Sequence, residues 1–189
     1  MRWCRRRWTS WLVHLMLRDR TEAFDLLKSM GAPGRLILHA QLVSEAADQL
    51  LIEFSAIGIE LDEVVVKLGA VLHDTGKISH PNELTEPGSE HERAGQAILL
   101  ACGVQAQIAR VCVTHASWNA PDASLEERII ALADKLWKGK REPELELSII
   151  DTVAGLLACS RWDVFERLDT AFEEIAADGL KRLQQSRSN

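Results

Sequence analysis

Side chains of the types that bind hard or borderline metal ions recur through the middle of this chain. They comprise four of its six histidines and two aspartates, and one histidine is followed directly by an aspartate. Imidazoles and carboxylates at helix ends and on apolar helix faces suit a metal ion, and sulfur ligands are missing from the set. A buried carboxylate is costly unless it is paired or coordinates a metal. These residues are His39, His73, Asp74, His91, His115 and Asp134.

Each of these residues has an ordinary structural explanation when it is taken alone. His39 fits a hydrogen-bonded core histidine, Asp74 fits a turn cap, and Asp134 fits a partner for an arginine. Their joint order, His, His-Asp, His, His, Asp, is much harder to explain by chance. The order therefore indicates a metal centre.

One segment resembles the signature of a known family. LGAVLHDTGK, at residues 68–77, is similar to the HD-superfamily motif, in which an adjacent His-Asp closes a helix before a glycine and often a lysine. The resemblance covers residues 35–141. It includes two further histidines, in HERAGQAILLACGV and IARVCVTH, that accompany dinuclear sites in the family. The resemblance implies an all-α, single-domain helical bundle that hydrolyses a phosphate ester or anhydride of a nucleotide-like substrate.

The resemblance also implies how two metal ions would be held. Fe or Mn is expected first, and Co, Ni or Zn also suit these ligands. Two ions activate a water for attack on phosphorus, so no serine or cysteine nucleophile is required. One ion would be bound by His39, His73, Asp74 and Asp134, and the other by Asp74, His91 and His115, with Asp74 as the bridge.

Further residues are candidates for catalysis and substrate binding. Asp74 is predicted to be catalytic as the bridge, and Lys77 as a contact to phosphate. Lys135, which begins a basic cluster after Asp134, and His80, a candidate proton donor, are predicted to bind substrate. Each has a structural alternative. Lys77 fits a solvated loop lysine, Lys135 fits a solvated helix end where the helix dipole favours cations, and His80 fits an ordinary loop histidine.

Two other functions remain open from the sequence. Some HD-fold proteins use the same ligands for a di-iron oxygenase, which oxygen uptake with a small organic substrate would reveal. The other is a nucleotide-sensing module without turnover. The intact ligand set weighs against the sensor, because a sensor does not need a water-activating metal pair.

The elements that position these residues are predicted to be helices. Apolar residues follow a helical period nearly throughout, and no stretch alternates as a strand does. Ser89 with Glu92 and Ser124 with Glu127 are capping-box signatures. The segments 75–88 and 116–123 are predicted loops. The predicted helices are 22–30, 33–57, 62–74, 89–103, 124–137, 144–159 and 161–186. One more helix is predicted to follow residue 103 and to end at about residue 115.

Composition and charge restrict the class of protein. At 189 residues, with 47% hydrophobic and 26% charged residues, the chain suits one globular domain, predicted over 21–189. The net charge is −6, and the acidic body argues against a broad nucleic-acid surface. Its four cysteines form no C-x-x-C pair, which favours a reducing cytoplasm.

The first twenty residues differ from the rest of the chain. Residues 1–20 are basic and tryptophan-rich, with six arginines and one aspartate. Their apolar run, 12–17, is too short for a signal peptide or a membrane span, so no transmembrane segment is predicted. An over-extended start, with translation beginning at Met16 or Met30, is the favoured interpretation. A membrane-surface or partner-binding helix is the alternative.

Overall fold

The computed structural model describes residues 16–179 and 181–182. Within these residues it contains eight α-helices and no strand, which confirms the prediction of an all-α helical bundle. The helices are α1 (Arg20–Ser29), α2 (Gly34–Ala56), α3 (Glu63–Leu72), α4 (Glu90–Ala101), α5 (Ala106–Thr114), α6 (Leu125–Leu136), α7 (Pro143–Leu156) and α8 (Arg161–Ala177).

Reciprocal caps set the starts of two helices. Ser124 and Glu127 form a capping box at α6, which confirms the sequence prediction at that point. Ser160 and Asp163 form a second capping box at α8. Such caps satisfy backbone N–H groups that have no partner inside the helix, and each contributes about 1 kcal/mol. Local sequence therefore fixes where both helices begin.

The capping box predicted at the start of α4 is wrong. Ser89 makes no side-chain hydrogen bond to the helix. Instead the carboxylate of Glu83 accepts the backbone N–H groups of Glu90 and His91, at 3.1 and 3.2 Å. A carboxylate carries two acceptor oxygens and a charge that the helix N-terminus favours, so it displaces the hydroxyl from this role.

The segment between α3 and α4 is more ordered than a simple loop. It contains two short 3₁₀ helices, Thr75–Ile78 and Pro81–Leu84. The first of them packs directly on α4 at Gly76. A Cβ built on Gly76 would collide with the backbone carbonyl of His91 and would lie 2.6 Å from the backbone nitrogen of Gly95. Because Gly76 has no side chain, α4 can pack closely against the turn that follows α3.

The core consists of two clusters of buried side chains. In the first, α2 packs with α6, α7 and α8 around residues such as Phe54 and Phe172. In the second, α3 packs with α1, α4 and α5 around residues such as Leu27 and Leu99. Helices α2, α3 and α5 contribute to both clusters. The helices that carry the predicted metal ligands are therefore held rigidly against one another.

The remaining expectations concern the ends of the chain. Of the predicted basic segment, residues 1–15 lie outside the described residues. Of the helix predicted over 161–186, α8 ends at Ala177, residues 179 and 181–182 are helical again after a turn at Asp178, and residues 183–186 lie outside the described residues. In the described part of the chain, no helix combines the length and the apolar character that a membrane crossing requires.

Candidate metal centre

The predicted ligands reach one place because they sit at helix ends or on inner helix faces. His73 and Asp74 directly follow α3. Successive helical residues point about 100° apart, so two adjacent side chains converge only where a helix ends. The other four lie on four different helices or directly after one. His39 is in α2, and His91 is the second residue of α4. His115 directly follows α5, and Asp134 is in α6.

Asp74 lies at the centre of the group, and its Oδ2 faces two histidines. Oδ2 is 3.0 Å from Nε2 of His39 and 3.6 Å from Nε2 of His73. The ligand atoms of these three residues all lie within 4.8 Å of one another. Asp134 also contacts both histidines, with its Oδ1 3.5 Å from His39 Nε2 and 3.8 Å from His73 Nε2. One cation could be held among the ligand atoms of His39, His73 and Asp74, and Asp134 lies beside this group but is not part of it.

The other oxygen of Asp74 faces a second pair of histidines. Oδ1 is 3.1 Å from Nε2 of His91 and 3.7 Å from Nε2 of His115. The ligand atoms of these three residues again lie within 4.8 Å of one another. Asp74 is common to both groups and offers a different oxygen to each. This is the geometry of a carboxylate that can bridge two cations.

Two of the buried histidines are neutral and have a defined tautomer. Nδ1 of His73 donates to the carbonyl of Ala70 at 3.0 Å, and Nδ1 of His115 donates to the carbonyl of Val111 at 3.1 Å. A carbonyl can only accept, so Nε2 of each ring keeps its lone pair. Burial lowers the pKa of His73 to about 3 and also lowers the pKa of His115. Neutral imidazoles of this kind are competent metal ligands.

Both carboxylates are ionised despite their burial. Burial raises the pKa of Asp134, but the Lys138 ammonium, 3.4 Å from Oδ2, helps to hold it well below its usual range. Burial also raises the pKa of Asp74, but the hydrogen bond from His39 helps to hold it well below its usual range. Trp137 Nε1 donates to Oδ1 of Asp134 at 3.3 Å and fixes its orientation. The centre thus combines the anionic oxygens of Asp74 and Asp134 with the neutral imidazoles of His73 and His115.

Two unpaired atoms show that a cation fits this centre. Asp74 Oδ1 and His91 Nε2 are buried, and neither has a hydrogen-bond partner among the described residues. An unsatisfied buried polar group costs about 1–3 kcal/mol. A cation between these two atoms would satisfy both lone pairs. The donor set of oxygens and imidazole nitrogens suits divalent transition metals.

Lysine side chains lie against both carboxylates. Lys77 Nζ is 2.6 Å from Oδ2 of Asp74. Lys135 Nζ and Lys138 Nζ are 3.5 and 3.4 Å from Oδ2 of Asp134. All three side chains are partly exposed, so they border the centre on a side that solvent reaches. Lys77 and Lys135 are therefore placed where a substrate contact is predicted, and that role stays a prediction.

His80 occupies a different place from the other candidates. Its Nδ1 lies 3.2 Å from Oε2 of Glu90, a largely exposed carboxylate. It forms a separate group with Glu83 and Glu90, whose ligand atoms lie within 4.8 Å of one another. The structure therefore does not bring His80 into either group around Asp74. Its role as a proton donor stays a prediction.

Glu83 is a part of the centre that the sequence analysis does not identify. Its buried carboxylate contacts Nδ1 of His91. The residue lies eight positions before the histidine, in a segment rich in proline and glycine. No periodic pattern relates residues across such a segment. A local signal does exist, because a buried helix start needs an acceptor close in sequence.

Comparisons with known proteins give a family match and a relative. A family model described as HD domain matches residues 36–137, a range that contains all six predicted ligands. The chain is similar to Uncharacterized protein MJ0778 of Methanocaldococcus jannaschii, with 29% identity over 141 residues. The aligned part covers 66% of this chain and 79% of that relative. No solved structure matches the chain.

Proposed function

This chain belongs to the HD domain family, and from that premise we propose that it is a metal-dependent phosphohydrolase with two divalent ions. The substrate we propose is a phosphate ester or anhydride of a nucleotide-like molecule. Membership of the family favours a metal-dependent hydrolase in general terms. The finer assignment of ion number and substrate class depends on the residues around Asp74.

The observation that carries the proposal is the position of Asp74 between two groups of histidines. Its Oδ2 faces His39 and His73, and its Oδ1 faces His91 and His115. A centre for a single ion would need only one of these groups. The arrangement supports two ions joined by one carboxylate.

The roles of the side chains follow from this arrangement. When bound, two divalent ions would supply an acidified water as nucleophile and neutralise charge on the phosphate oxygens. The four histidines and Asp134 would hold the ions, and Asp74 would be the ligand that the two groups share. No serine or cysteine nucleophile is needed for this chemistry.

The lysines support an anionic substrate. The chain carries a net charge of −6, yet Lys77, Lys135 and Lys138 lie together beside the carboxylates of the centre. An ammonium group has three N–H donors, so Lys77 can contact Asp74 and still donate to a phosphate oxygen. Charge-assisted hydrogen bonds of this kind are about twice as strong as neutral ones. A phosphorylated substrate would bind at this edge of the centre.

The proposed function predicts phosphate-ester hydrolysis that depends on metal and not on oxygen. The full chain, purified without chelator, would be supplied with Mn²⁺ or Fe²⁺ and tested on mononucleotides, cyclic nucleotides and dinucleoside polyphosphates. We expect hydrolysis of at least one class, unchanged under anaerobic conditions. Removal of the ions should lower the rate more than about a hundredfold, because both the nucleophile and the charge neutralisation are lost.

Two outcomes of this experiment would contradict the proposal. Turnover that consumes oxygen and releases no phosphate would indicate the oxygenase. Tight nucleotide binding without turnover, at full metal content, would indicate a sensing module. Both outcomes are measured on the same preparation, by an oxygen electrode and by calorimetry.

A further inference from the structure

His91 differs from the other buried histidines of the centre in what its Nδ1 faces. Nδ1 of His73 and Nδ1 of His115 each donate to a backbone carbonyl about one turn earlier in the chain. His91 is the second residue of α4, so no carbonyl of its own helix precedes it by a turn. Its Nδ1 instead contacts the carboxylate of Glu83. A different residue must therefore orient this ring.

The carboxylate of Glu83 is held rigidly behind His91. Its side chain is only 4% exposed. Oε1 accepts the backbone N–H of Glu90 at 3.1 Å, and Oε2 accepts the backbone N–H of His91 at 3.2 Å. A Cβ built on Gly88 would collide with the carboxylate carbon and Oε1 of Glu83 and would lie 2.6 Å from its Cγ. The glycine leaves the space that the carboxylate occupies.

We propose that Glu83 is a positioning residue that keeps the proton of His91 on Nδ1 and directs the Nε2 lone pair to the ion on the Oδ1 side of Asp74. An ionised carboxylate can only accept, so the ring must donate to it from Nδ1. Nε2 then carries its lone pair 3.1 Å from Asp74 Oδ1, without a hydrogen-bond partner among the described residues. A carboxylate that accepts a hydrogen bond from a ligating imidazole also raises the basicity of that imidazole.

This role rests on the proposed two-ion function, and it goes beyond it in one respect. It makes binding of the second ion depend on the second 3₁₀ helix, Pro81–Leu84, which contains none of the six predicted ligands. The same carboxylate starts α4 and orients its histidine. The helix start and the metal ligand are therefore fixed by one side chain.

Glu83→Gln is the variant that tests the role. Glutamine keeps the size of the side chain but replaces one acceptor oxygen with an NH₂ group. In either orientation that group faces a donor, at the N–H of Glu90 or at His91, where the wild-type oxygen accepts. We expect the variant to bind one of two Mn²⁺ ions about 10- to 100-fold more weakly and the other as the wild type does.

Glu127→Gln is a matched control. Glu127 is also buried and also caps a helix, accepting the backbone N–H of Ser124 at 2.9 Å. Its carboxylate pairs with Arg110 rather than with a histidine. The substitution makes the same chemical change and removes the same charge. It should lower the thermal stability of the metal-free protein while leaving both Mn²⁺ affinities unchanged.

The measurement is a calorimetric titration of the chelator-stripped full chain with Mn²⁺, combined with ¹⁵N NMR of the His91 ring in the metal-free protein. Burial lowers the pKa of His91, but the contacts with Asp74 and Glu83 raise it overall, so the spectra are recorded above that pKa, where the ring carries one proton. We expect wild-type His91 to carry its proton on Nδ1 and the Glu83→Gln variant to lose that preference. Two wild-type affinities in Glu83→Gln with an unchanged tautomer would overturn the role. If Glu127→Gln weakened Mn²⁺ binding equally, Glu83 would act only as a helix cap, and the positioning role would also be overturned. A wild type that binds a single ion would instead overturn the two-ion function itself.

Discussion

Asp74→Asn should abolish hydrolysis and remove tight binding of both metal ions. Asparagine matches aspartate in shape, but only one of its two terminal atoms can ligate a cation. Whichever way the amide is placed, one of the two groups of histidines loses its oxygen ligand, and the other keeps only a neutral one. Loss of a residue behind a metal ligand already costs about 10- to 100-fold in affinity or activity. Loss of the shared ligand should lower the affinity for each ion by more than about a hundredfold.

The measurement for Asp74→Asn is metal content together with the hydrolysis rate, on protein shown to be folded by circular dichroism. Asp48→Asn is the control, because Asp48 is a partly exposed carboxylate that forms a two-point ion pair with Arg20, both contacts at 2.7 Å. It should leave metal content and rate unchanged. Wild-type turnover by Asp74→Asn at unchanged metal content would contradict the bridging role.

Gly76→Ala should destabilise the protein by about 3 kcal/mol, which is the upper part of the range for overpacking in a well-packed core. The added methyl would meet the backbone carbonyl of His91 and the backbone nitrogen of Gly95. Neither atom belongs to a flexible side chain, so α4 would have to move as a unit. That movement would displace His91 from Asp74, and binding of the second ion should weaken as well.

Urea unfolding of the metal-free protein measures the effect of Gly76→Ala on the free energy of unfolding. Gly155→Ala is the control, because a Cβ at Gly155, within α7, would meet no other atom within 4 Å. It should stabilise the protein by about 0.5 kcal/mol, since alanine loses less backbone entropy in a helix than glycine. A Gly76→Ala variant as stable as the wild type would mean that α4 does not pack on this turn as described.

Local features of the sequence predict the elements that carry the ligands. The capping box at Ser124 and the glycine and proline breaks act within a few residues, so they can be interpreted without the fold. The ligand types are also visible, because a histidine or an aspartate on an apolar face has few inexpensive partners. The juxtaposition of His39 and His73, 3.1 Å apart at Nε2, then depends on the packing of α2 against α3.

Other features depend on the path of the chain and could not be predicted. Ser89 has the sequence of a helix cap, but the helix start is capped by the carboxylate of Glu83, which accepts the N–H groups of Glu90 and His91. That outcome requires the 3₁₀ helix Pro81–Leu84 to return the chain towards α4. His80 lies three residues before Glu83, yet it pairs with Glu90 instead of approaching Asp74. Loop geometry decides these contacts, and residue types alone do not.

The most direct test of the central claim is the number and position of metal ions in a crystal of the full chain grown with Mn²⁺. Anomalous difference maps recorded at the manganese edge locate each ion independently of the protein model. We predict two peaks, about 3.5–4 Å apart as in other two-metal sites, one on each side of the Asp74 carboxylate. A single peak, or a second peak outside the group that contains His91 and His115, would contradict the account.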